Sequence, residues 1–281
     1  MVGSVNADIT FTVEALPDPG QTVLASAVAS APGGKGGNQA VAAARAGADV
    51  ALVAAVGTDG SADMLITHLE DNGVDVAAVQ RVPGASGSAA IIVDARAENC
   101  IVVAPGANGH LGVGSPALRS TIAVGDVVLI SLEIPMDTAI AAAGIGREGG
   151  AVVIVNASPT VTDTHHRRRL ADLADVVVVN ETEAADWDDA GVDHLVVTRG
   201  ARGARHLHDA VATDVPAPRV EAVDTTGAGD VFAGVLAASW PAGPEQALRR
   251  ACAAGALATL VPGAGDCAPT AEAIDDVLAT P

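Results

Sequence analysis

The sequence predicts an α/β protein in which a mostly parallel sheet lies between two layers of helices. Three short runs, Val127–Ile130, Ala151–Val155 and Val176–Val179, are continuously apolar and the length of a strand. Because strands of this kind bury both faces, the pattern is typical of a parallel sheet covered by helices on each side. Helical stretches alternate with the strands, as a series of βα units requires. The 281 residues are enough for one such domain.

The same alternation of strands and helices is predicted from residue 40 onward. Further predicted elements are a strand at Asp49–Val56 and helices at Ser61–Asn72, Met136–Gly144 and His165–Leu173. The last third of the chain is different, because it predicts three consecutive helices with no strand between them. These helices are Ala228–Trp240, Pro244–Leu260 and Thr270–Leu278.

Two stretches break the alternation and predict a second, smaller sheet. Ile9–Ala29 contains Thr, Val and Phe interrupted by prolines, and Ala89–Ala104 contains two apolar runs around a polar turn. Neither stretch has helical spacing of its apolar residues. We expect them to form short strands outside the main sheet, as a flap or lid within residues 9–30 and 89–105.

The composition indicates which binding partners and which cellular compartment to expect. The chain has 34 acidic and 15 basic residues and a formal net charge of −19, so nucleic acid and anionic membranes are not expected partners. No apolar run approaches the roughly 18–20 residues that span a bilayer, and the N-terminus lacks the features of a signal peptide. Cys100, Cys252 and Cys267 are scattered without a CxxC pair, which fits a reducing compartment. These observations predict a cytoplasmic protein.

The first motif that indicates chemistry is GGKGGNQ, residues 33–39, which leads into an alanine-rich helix at Ala40–Arg45. Its glycines permit a ligand to approach backbone amides at a helix N-terminus. It is not a Walker A loop, because Lys35 is followed by Gly36 rather than by Ser or Thr. Lys35 is the only lysine of the chain, which favours a specific role. The alternative is a flexible glycine turn with an incidental lysine.

The second motif is DTTGAGD, residues 224–230, followed by a predicted helix. Backbone amides of Gly227, Ala228 and Gly229 at a helix N-terminus would form a hole for negative charge on a transferred phosphoryl group. Asp230 is then placed to take a proton from an attacking hydroxyl. The alternative is an aspartate that caps the helix after a glycine turn.

Weaker signals lie at the ends of other predicted strands. Asn6 and Asp8 carry groups suited to sugar hydroxyls, although a turn is the plainer interpretation. Glu133 follows the strand at Val127–Ile130, on the edge where ligands of open parallel sheets bind. Asn180 and Glu183 are spaced to hold Mg²⁺ through water, or alternatively to form a capping box. A further glycine-rich strand exit comprises Thr198, Arg199, Gly200, Ala201, Arg202 and Gly203.

Taken together, these motifs resemble those of the PfkB carbohydrate kinase family, from Gly3 to about Thr270. The resemblance is carried by GSVNADI, PGGKGGNQAVAAARAGA, LEIP, NETEA, VTRGARG and DTTGAGD, in this order. Within the family, the motifs are most similar to those of its ribose kinases. The resemblance implies a three-layer α/β/α domain with a β-sheet lid that also forms a dimer interface. It also implies the transfer of phosphate from ATP to O5 of D-ribose.

The resemblance further implies a set of binding residues. Asp230 would be the base, with the anion hole of Gly227, Ala228 and Gly229. The sugar would be held by Asn6, Asp8, Gly34, Lys35, Gly36, Gly37, Asn38, Glu133 and Asp230. ATP would lie along Asn180, Thr198, Arg199, Gly200, Ala201, Arg202, Gly203, Gly229 and Cys252, with Mg²⁺ reached through Asn180 and Glu183. An activating K⁺ would be held by Asp224, Thr226, Ala258, Val261, Gly263 and Cys267.

Three departures from the family pattern leave alternatives open. Only Met1 and Val2 precede the first motif, where the family usually has a longer opening strand, so a trimmed or misassigned start is one interpretation. Leu260–Cys267 differs from the usual stretch beside the cation, and Cys252 stands where Asn or His is common. The substrate alternatives are another pentose, a ketohexose or a nucleoside. A sensor that binds sugar or nucleotide without turnover is the alternative from a different class.

Overall fold

The structure is a computed structural model that describes residues 1–96, 98–187 and 191–279. The strands are β1 (Asn6–Thr12), β2 (Ala27–Gly33), β3 (Val50–Ala51), β4 (Ala54–Val56), β5 (Val74–Asp75), β6 (Val79–Arg81), β7 (Gly87–Val93), β8 (Asn99–Ala104), β9 (Val127–Ser131), β10 (Val152–Asn156), β11 (Val176–Asn180), β12 (His194–Thr198), β13 (Ala204–His208) and β14 (Val211–Val215). The α-helices are α1 (Lys35–Arg45), α2 (Gly60–Asp71), α3 (Pro116–Ala123), α4 (Met136–Gly149), α5 (Thr164–Ala171), α6 (Glu181–Ala184), α7 (Ala228–Ser239), α8 (Pro244–Ala258) and α9 (Ala271–Ala279).

The main sheet has the strand order β14-β13-β12-β11-β10-β9. Strands β9 to β12 are parallel, and β13 and β14 continue the sheet as antiparallel strands. Successive side chains point to opposite faces: Val177 and Val179 pack with α4 and α5, whereas Val176 and Val178 pack with α7 and α8. Helices therefore cover both faces, which confirms the predicted three-layer α/β/α architecture with a largely parallel sheet.

The first residues extend this sheet beyond β9. Val2 forms parallel bridges to Ile130 on one side and to Val53 on the other. The single strand predicted at Asp49–Val56 is wrong, because the segment divides into β3 and β4. Each part has its own partner, since β3 pairs with β5 and β4 with β6, and a turn separates those partners.

A separate four-stranded sheet forms the lid, in the order β2-β1-β7-β8. Strands β1 and β7 are parallel, and the other two pairs are antiparallel. The second sheet expected within residues 9–30 and 89–105 is confirmed, although β1 begins earlier, at Asn6, and β2 ends later, at Gly33. Ala97, in the predicted turn of the hairpin, lies outside the described residues.

The helix predicted at Ala40–Arg45 begins five residues earlier, at Lys35. Gly34, with φ +85°, ends the extended chain of β2 and allows the turn into the helix. The glycine motif is therefore the first turn of α1 rather than a loop before it. Helix α1 also packs closely on α7, because a Cβ on Gly234 would lie 2.3 Å from the carbonyl oxygen of Gln39.

Helix α4 is also longer than predicted, since it continues through Gly144 to Gly149. Gly150, in the left-handed conformation with φ +84°, ends it. Within the described residues, none of the helices is both long and apolar enough to span a membrane.

Candidate active site

Predicted site residues from four parts of the chain meet in a cavity at the carboxyl ends of the parallel strands, whereas Asn6, Asp8, Asn38 and Glu133 do not line it. Two helix N-termini, those of α1 and α7, face the ends of β10, β11 and β12. The cavity has a volume of about 190 Å³. Its polar lining comprises Lys35, Asn156, Ser158, Asn180, Glu183, Thr198, Gly227, Gly229 and Asp230. The glycine-rich helix and the DTTGAGD segment thus share one site, as the sequence predicted.

Asp230 lies in the first turn of α7 and is buried. Both of its carboxylate oxygens accept hydrogen bonds from α1. Nδ2 of Asn38 donates to Oδ2 at 3.0 Å, and Nε2 of Gln39 donates to Oδ1 at 2.9 Å. Asn38 was predicted as a sugar ligand, and the structure gives it this contact with the predicted base. The contact of Gln39 was not foreseen, although it follows Asn38 directly in the motif.

Gly227 caps α7 in a left-handed conformation, with φ +79°. A Cβ at this position would lie 2.8 Å from Cα of Ala264 and 3.0 Å from Sγ of Cys267, so no other residue fits. Gly227 and Gly229 line the cavity beside Asp230. The N–H of Ala228 donates to the carbonyl of Thr225 at 3.3 Å. The three-amide anion hole therefore stays a prediction, with Ala228 already holding one partner.

Lys35 is half-buried near three carboxylates. Attraction to Asp230 raises the pKa of its ammonium group, and Glu133 and Glu183 add to this effect, while burial opposes it. The ammonium group is therefore charged at neutral pH. A fixed positive charge beside Asp230 is suited to the negative charge of a phosphoryl group during transfer.

Glu133 is held in place from two directions. The hydroxyl of Ser4 donates to its Oε2 at 2.6 Å, and the backbone N–H of Lys35 donates to the same oxygen at 3.3 Å. The loop after β9, the segment before β1 and the start of α1 thus meet at one carboxylate. Ser4 was not among the predicted residues.

Asp8 is a carboxyl group of the site with a raised pKa. Burial raises its pKa to about 7, and repulsion by Glu133 and Asp230 acts in the same direction. Its Oδ1 is buried and, within the described residues, has no hydrogen-bond partner. A carboxyl oxygen in this situation is suited to accept a hydrogen bond from a ligand hydroxyl.

Asn6 is positioned by a residue that the sequence did not single out. Nδ2 of Asn108 donates to Oδ1 of Asn6 at 2.8 Å, and Oδ1 of Asn108 accepts from the N–H of Val5 at 2.9 Å. Asn108 lies in a 3₁₀-helix, Gly106–His110, just after the lid strand β8. An asparagine between glycines after the hairpin was the available signal.

The glycines of the first motif have packing roles. A Cβ on Gly34 would lie 2.6 Å from N of Asn6, and one on Gly36 would lie 2.5 Å from the carbonyl carbon of Gly3. The N–H of Gly37 donates to the carbonyl of Ser4 at 2.9 Å. These contacts explain why α1 can approach the 3–6 segment so closely. Sugar contacts by Gly34, Gly36 and Gly37 stay predictions.

A larger cleft of about 540 Å³ adjoins the cavity, and Thr198 and Gly229 line both. Its lining is mainly apolar and includes Gly200, Ala201, Gly203, Ala228, Phe232, Cys252, Gly255 and Ala256. Burial raises the pKa of the Cys252 thiol to about 12, so Cys252 is a neutral wall residue. A cleft of this size and character is suited to a purine base.

Two arginines predicted for this cleft point elsewhere. Arg199 pairs with Asp214 at 3.1 Å, and Arg202 makes two hydrogen bonds to Glu181 at 2.5 and 2.6 Å. Neither lines the 540 Å³ cleft. The strand exit contributes Thr198, Gly200, Ala201 and Gly203 to the cleft, and nucleotide contacts by Arg199 and Arg202 stay predictions.

Asn180 and Glu183 form a complete capping box at the start of α6. Oδ1 of Asn180 accepts from the N–H groups of Thr182 and Glu183, each at 2.9 Å, and Oε2 of Glu183 accepts from the N–H of Asn180, also at 2.9 Å. The capping box, which was the alternative to a Mg²⁺ site, is therefore present. Both residues also line the cavity, and carboxylate and amide oxygens suit a hydrated Mg²⁺.

Four of the residues predicted for a monovalent cation are held together behind the cavity. Asp224 accepts from the N–H and hydroxyl of Thr226 at 2.9 and 2.7 Å, and from the N–H of Gly263 at 2.8 Å. Sγ of Cys267 lies 3.9 Å from the carbonyl oxygen of Thr226. Carboxylate and carbonyl oxygens are ligands that a hard cation prefers. The carbonyl of Ala258 accepts from the N–H of Val261 at 3.2 Å.

The chain matches the model of the pfkB family carbohydrate kinases over residues 1–271. Among curated proteins it is similar to a ribokinase of Haemophilus influenzae, with 33% identity over 292 residues, covering 96% of this chain and 94% of the relative. It is also similar to a deoxyribokinase of Salmonella typhi, with 33% identity over 257 residues, covering 84% of this chain and 83% of the relative.

Among solved structures, the fold is similar to that of Arabidopsis thaliana ribokinase complexed with ribose and ATP. The TM-score is 0.92 at 28% identity, covering 100% of this chain and 98% of that one. The similarity of sequence spans nearly the whole chain, and the predicted motifs meet at one site. The chain therefore belongs to the pfkB family of carbohydrate kinases.

Proposed function

We propose that the protein is an ATP-dependent kinase that phosphorylates D-ribose at O5 and releases D-ribose 5-phosphate and ADP. The observation that carries this proposal is the position of Asp230, buried at the N-terminus of α7 beside Lys35, in a cavity that adjoins the 540 Å³ cleft. One carboxylate thus lies between Asn38, a residue of the proposed sugar site, and an apolar cleft suited to a purine. The similarity to ribokinases over 96% of the chain supports ribose as the substrate.

The chemistry follows from the proposed placement of both substrates. Asp230 takes the proton of the ribose O5 hydroxyl as O5 forms a bond to the γ-phosphorus of ATP. The bond from that phosphorus to the β,γ-bridging oxygen breaks, and its electron pair leaves with ADP. Lys35 and the backbone amides of Gly227 and Gly229 at the start of α7 stabilise the charge on the transferred group. The proton on Asp230 then passes to solvent when the product leaves.

The sugar is held by side chains that already have fixed positions. Asn6 is oriented by Asn108, Glu133 by Ser4, and Asp8 presents an oxygen without a partner among the described residues. Two carboxyl groups and an amide can together engage several vicinal hydroxyls. Fixing the acceptors before binding reduces the entropy lost when the sugar is ordered.

Metal ions complete the proposed reaction. The buried carboxylate of Glu183 and the side chain of Asn180 would hold a hydrated Mg²⁺, which supplies charge neutralisation for the ATP phosphates. The segment around Asp224, Thr226 and Gly263 would hold a K⁺ behind the anion hole. We place the enzyme in the cytoplasm, since Cys100, Cys252 and Cys267 are free thiols.

The substrate is tested by the rates of ADP release with ribose, deoxyribose, fructose and adenosine at equal concentration, in Mg²⁺ and K⁺. We expect the highest kcat/KM with ribose. The similarity to a deoxyribokinase makes deoxyribose the most informative competitor. A clear preference for any of the other three compounds would contradict ribose as the substrate.

The role of Asp230 is tested with Asp230→Ala. We expect kcat to fall by about three to five orders of magnitude, because a base and the orientation of the hydroxyl are lost together, while ribose still binds. The matched control is Asp71→Asn, at the exposed end of α2. Near-normal turnover of Asp230→Ala would contradict the mechanism. A wild-type protein that binds ribose and ATP without turnover would instead be a sensor.

A further inference from the structure

The base is held by two consecutive residues of one helix. Asn38 donates to Oδ2 of Asp230 and Gln39 donates to Oδ1, so both oxygens are fixed from α1. Two hydrogen bonds to different oxygens restrain rotation of the carboxylate about its Cβ–Cγ bond. The orientation of the base thus depends on α1 rather than on α7, which carries it.

The two amides differ in what else they can reach. Asn38 belongs to the predicted sugar site, whereas Gln39 does not and has no exposed surface; neither of them lines the 190 Å³ cavity. Its backbone is equally fixed, because the close approach of Gly234 leaves no room for α1 to shift against α7. Gln39 therefore cannot contact the substrate, and its amide has a fixed direction toward Asp230.

Only the nitrogen of the Gln39 amide has a hydrogen-bond partner among the described residues. Its Oε1 is buried and, in the part of the chain that the structure describes, has no hydrogen-bond partner. Burying an unpaired amide oxygen opposes folding, so Oε1 does not account for a glutamine at this position. The group that accounts for a glutamine here is Nε2, and its partner is Asp230.

We propose that Gln39 is a positioning residue for Asp230, whose Nε2 sets the direction in which the carboxylate takes the proton of the sugar hydroxyl. This inference rests on the proposed kinase function and adds to it a residue that touches neither substrate. Asp230 remains the group that accepts the proton. Loss of the Gln39 donor leaves the sugar contacts intact but lets the carboxylate rotate away from the attacking oxygen.

The test compares Gln39→Met, which keeps the length of the side chain and removes the donor, with Gln39→Glu, which replaces the donor by an oxygen. The matched control is Gln80→Met, because Nε2 of Gln80 donates a hydrogen bond of 3.0 Å to the carbonyl of Gly112, in neither cleft. Ribose affinity is measured by calorimetry without ATP, kcat by ADP release, and Tm by circular dichroism.

For Gln39→Met we expect kcat to fall about 10- to 100-fold, the effect of losing a hydrogen bond to a charged group. Ribose Kd should stay within about twofold of the wild type. Gln39→Glu should lower kcat further, because like charges then face each other. Gln80→Met should keep the wild-type kcat.

Two results would overturn the inference. One is a kcat of both Gln39 variants within about twofold of the wild type, measured on whichever sugar the wild type phosphorylates. The other is a parallel loss of kcat, ribose affinity and Tm, which marks a structural role. A wild-type protein with no turnover on any sugar would instead overturn the proposed function, so the two failures are distinguishable.

Discussion

Ser4 and Glu133, 129 residues apart in the chain, are joined by a hydrogen bond of 2.6 Å from the serine hydroxyl to Oε2. Ser4 has no exposed surface. The bond connects the segment that leads into the lid strand β1 with the loop that follows β9. One side of the proposed sugar site is therefore anchored to the main sheet.

Replacement of Ser4 by alanine should weaken sugar binding more than it slows phosphoryl transfer. Glu133 loses its shortest hydrogen bond, so its carboxylate is less well ordered before ribose binds. We expect KM for ribose to rise about tenfold, the effect of about 1.4 kcal/mol, with a smaller change in kcat. Steady-state kinetics with saturating ATP measure this. Ser120→Ala, on the exposed face of α3, is the control, and an unchanged KM in Ser4→Ala would contradict the role of the bond.

Gly227→Ala should damage catalysis and leave ribose affinity nearly unchanged. The new Cβ would lie 2.8 Å from Cα of Ala264 in a backbone conformation that only glycine adopts easily. The start of α7 must shift, and with it the amides beside Asp230. We expect kcat to fall at least about 100-fold, as when an oxyanion donor is lost.

The control for Gly227→Ala is Gly60→Ala, because a Cβ on Gly60, the first residue of α2, meets open space. That variant should keep its activity. A Gly227→Ala enzyme with kcat within about threefold of the wild type would show that this turn tolerates displacement and that the amides contribute little.

The raised pKa of Asp8 predicts a pH-dependent stability. The folded pKa of about 7 exceeds the ordinary aspartate value of 3.8, so between these values the folded state binds a proton that the unfolded chain has lost. The contribution of Asp8 to the free energy of unfolding therefore decreases as pH rises through this window. It is constant above pH 7, where both states are ionised.

Asp8→Asn removes this titration and keeps the shape of the side chain. The Tm of the variant minus that of the wild type should increase as pH rises from about 4 to about 7, since the wild type alone then carries a buried charge. Thermal unfolding at closely spaced pH values measures the difference. Asp71→Asn, at an exposed position, should show no such trend. A Tm difference for Asp8→Asn that does not vary with pH would contradict the perturbed pKa.

Local patterns were enough to predict the layers of the fold. The continuous apolar run Val176–Val179 indicated burial on both faces, and its side chains alternate between two helix layers in the structure. The division of Asp49–Val56 into two strands could not be predicted, because it depends on the partners β5 and β6 and not on the segment itself. Hydrophobicity indicates that a strand is buried but not which strand lies beside it.

In the candidate site, too, local motifs could be predicted from the sequence, whereas contacts between distant residues could not. Glycine motifs are visible in sequence because a helix start that approaches another backbone needs several glycines within a few residues. The contacts that orient their neighbours join distant residues: Gln39 and Asp230 are 191 positions apart, and Asn108 and Asn6 are 102 apart. A single chain carries no signal for such pairs. The glycine-rich motif of residues 198–203 likewise did not predict the ion pairs of Arg199 with Asp214 and of Arg202 with Glu181.

The outer face of the lid predicts self-association. Side chains of paired residues in adjacent strands point to the same face, so Ile9, Val28 and Val102 share the face opposite to that of Asp8. Val28 and Val102 are 66% and 64% exposed. Exposed apolar residues clustered on one sheet face are typical of an interface. We therefore expect a dimer in solution in which two lids cover each other.

Lysines introduced at Val28 and Val102 together should convert that dimer into a monomer, because association would then bury four unpaired charges. Light scattering after gel filtration measures the change from the mass of two chains to that of one chain of 27.6 kDa. The control is Val211→Lys, since Val211 is 62% exposed but lies on β14, outside the lid. If the double variant remains dimeric, the interface lies elsewhere. If the wild type is already a monomer at micromolar concentration, the lid acts within one chain, and its apolar face then covers no partner.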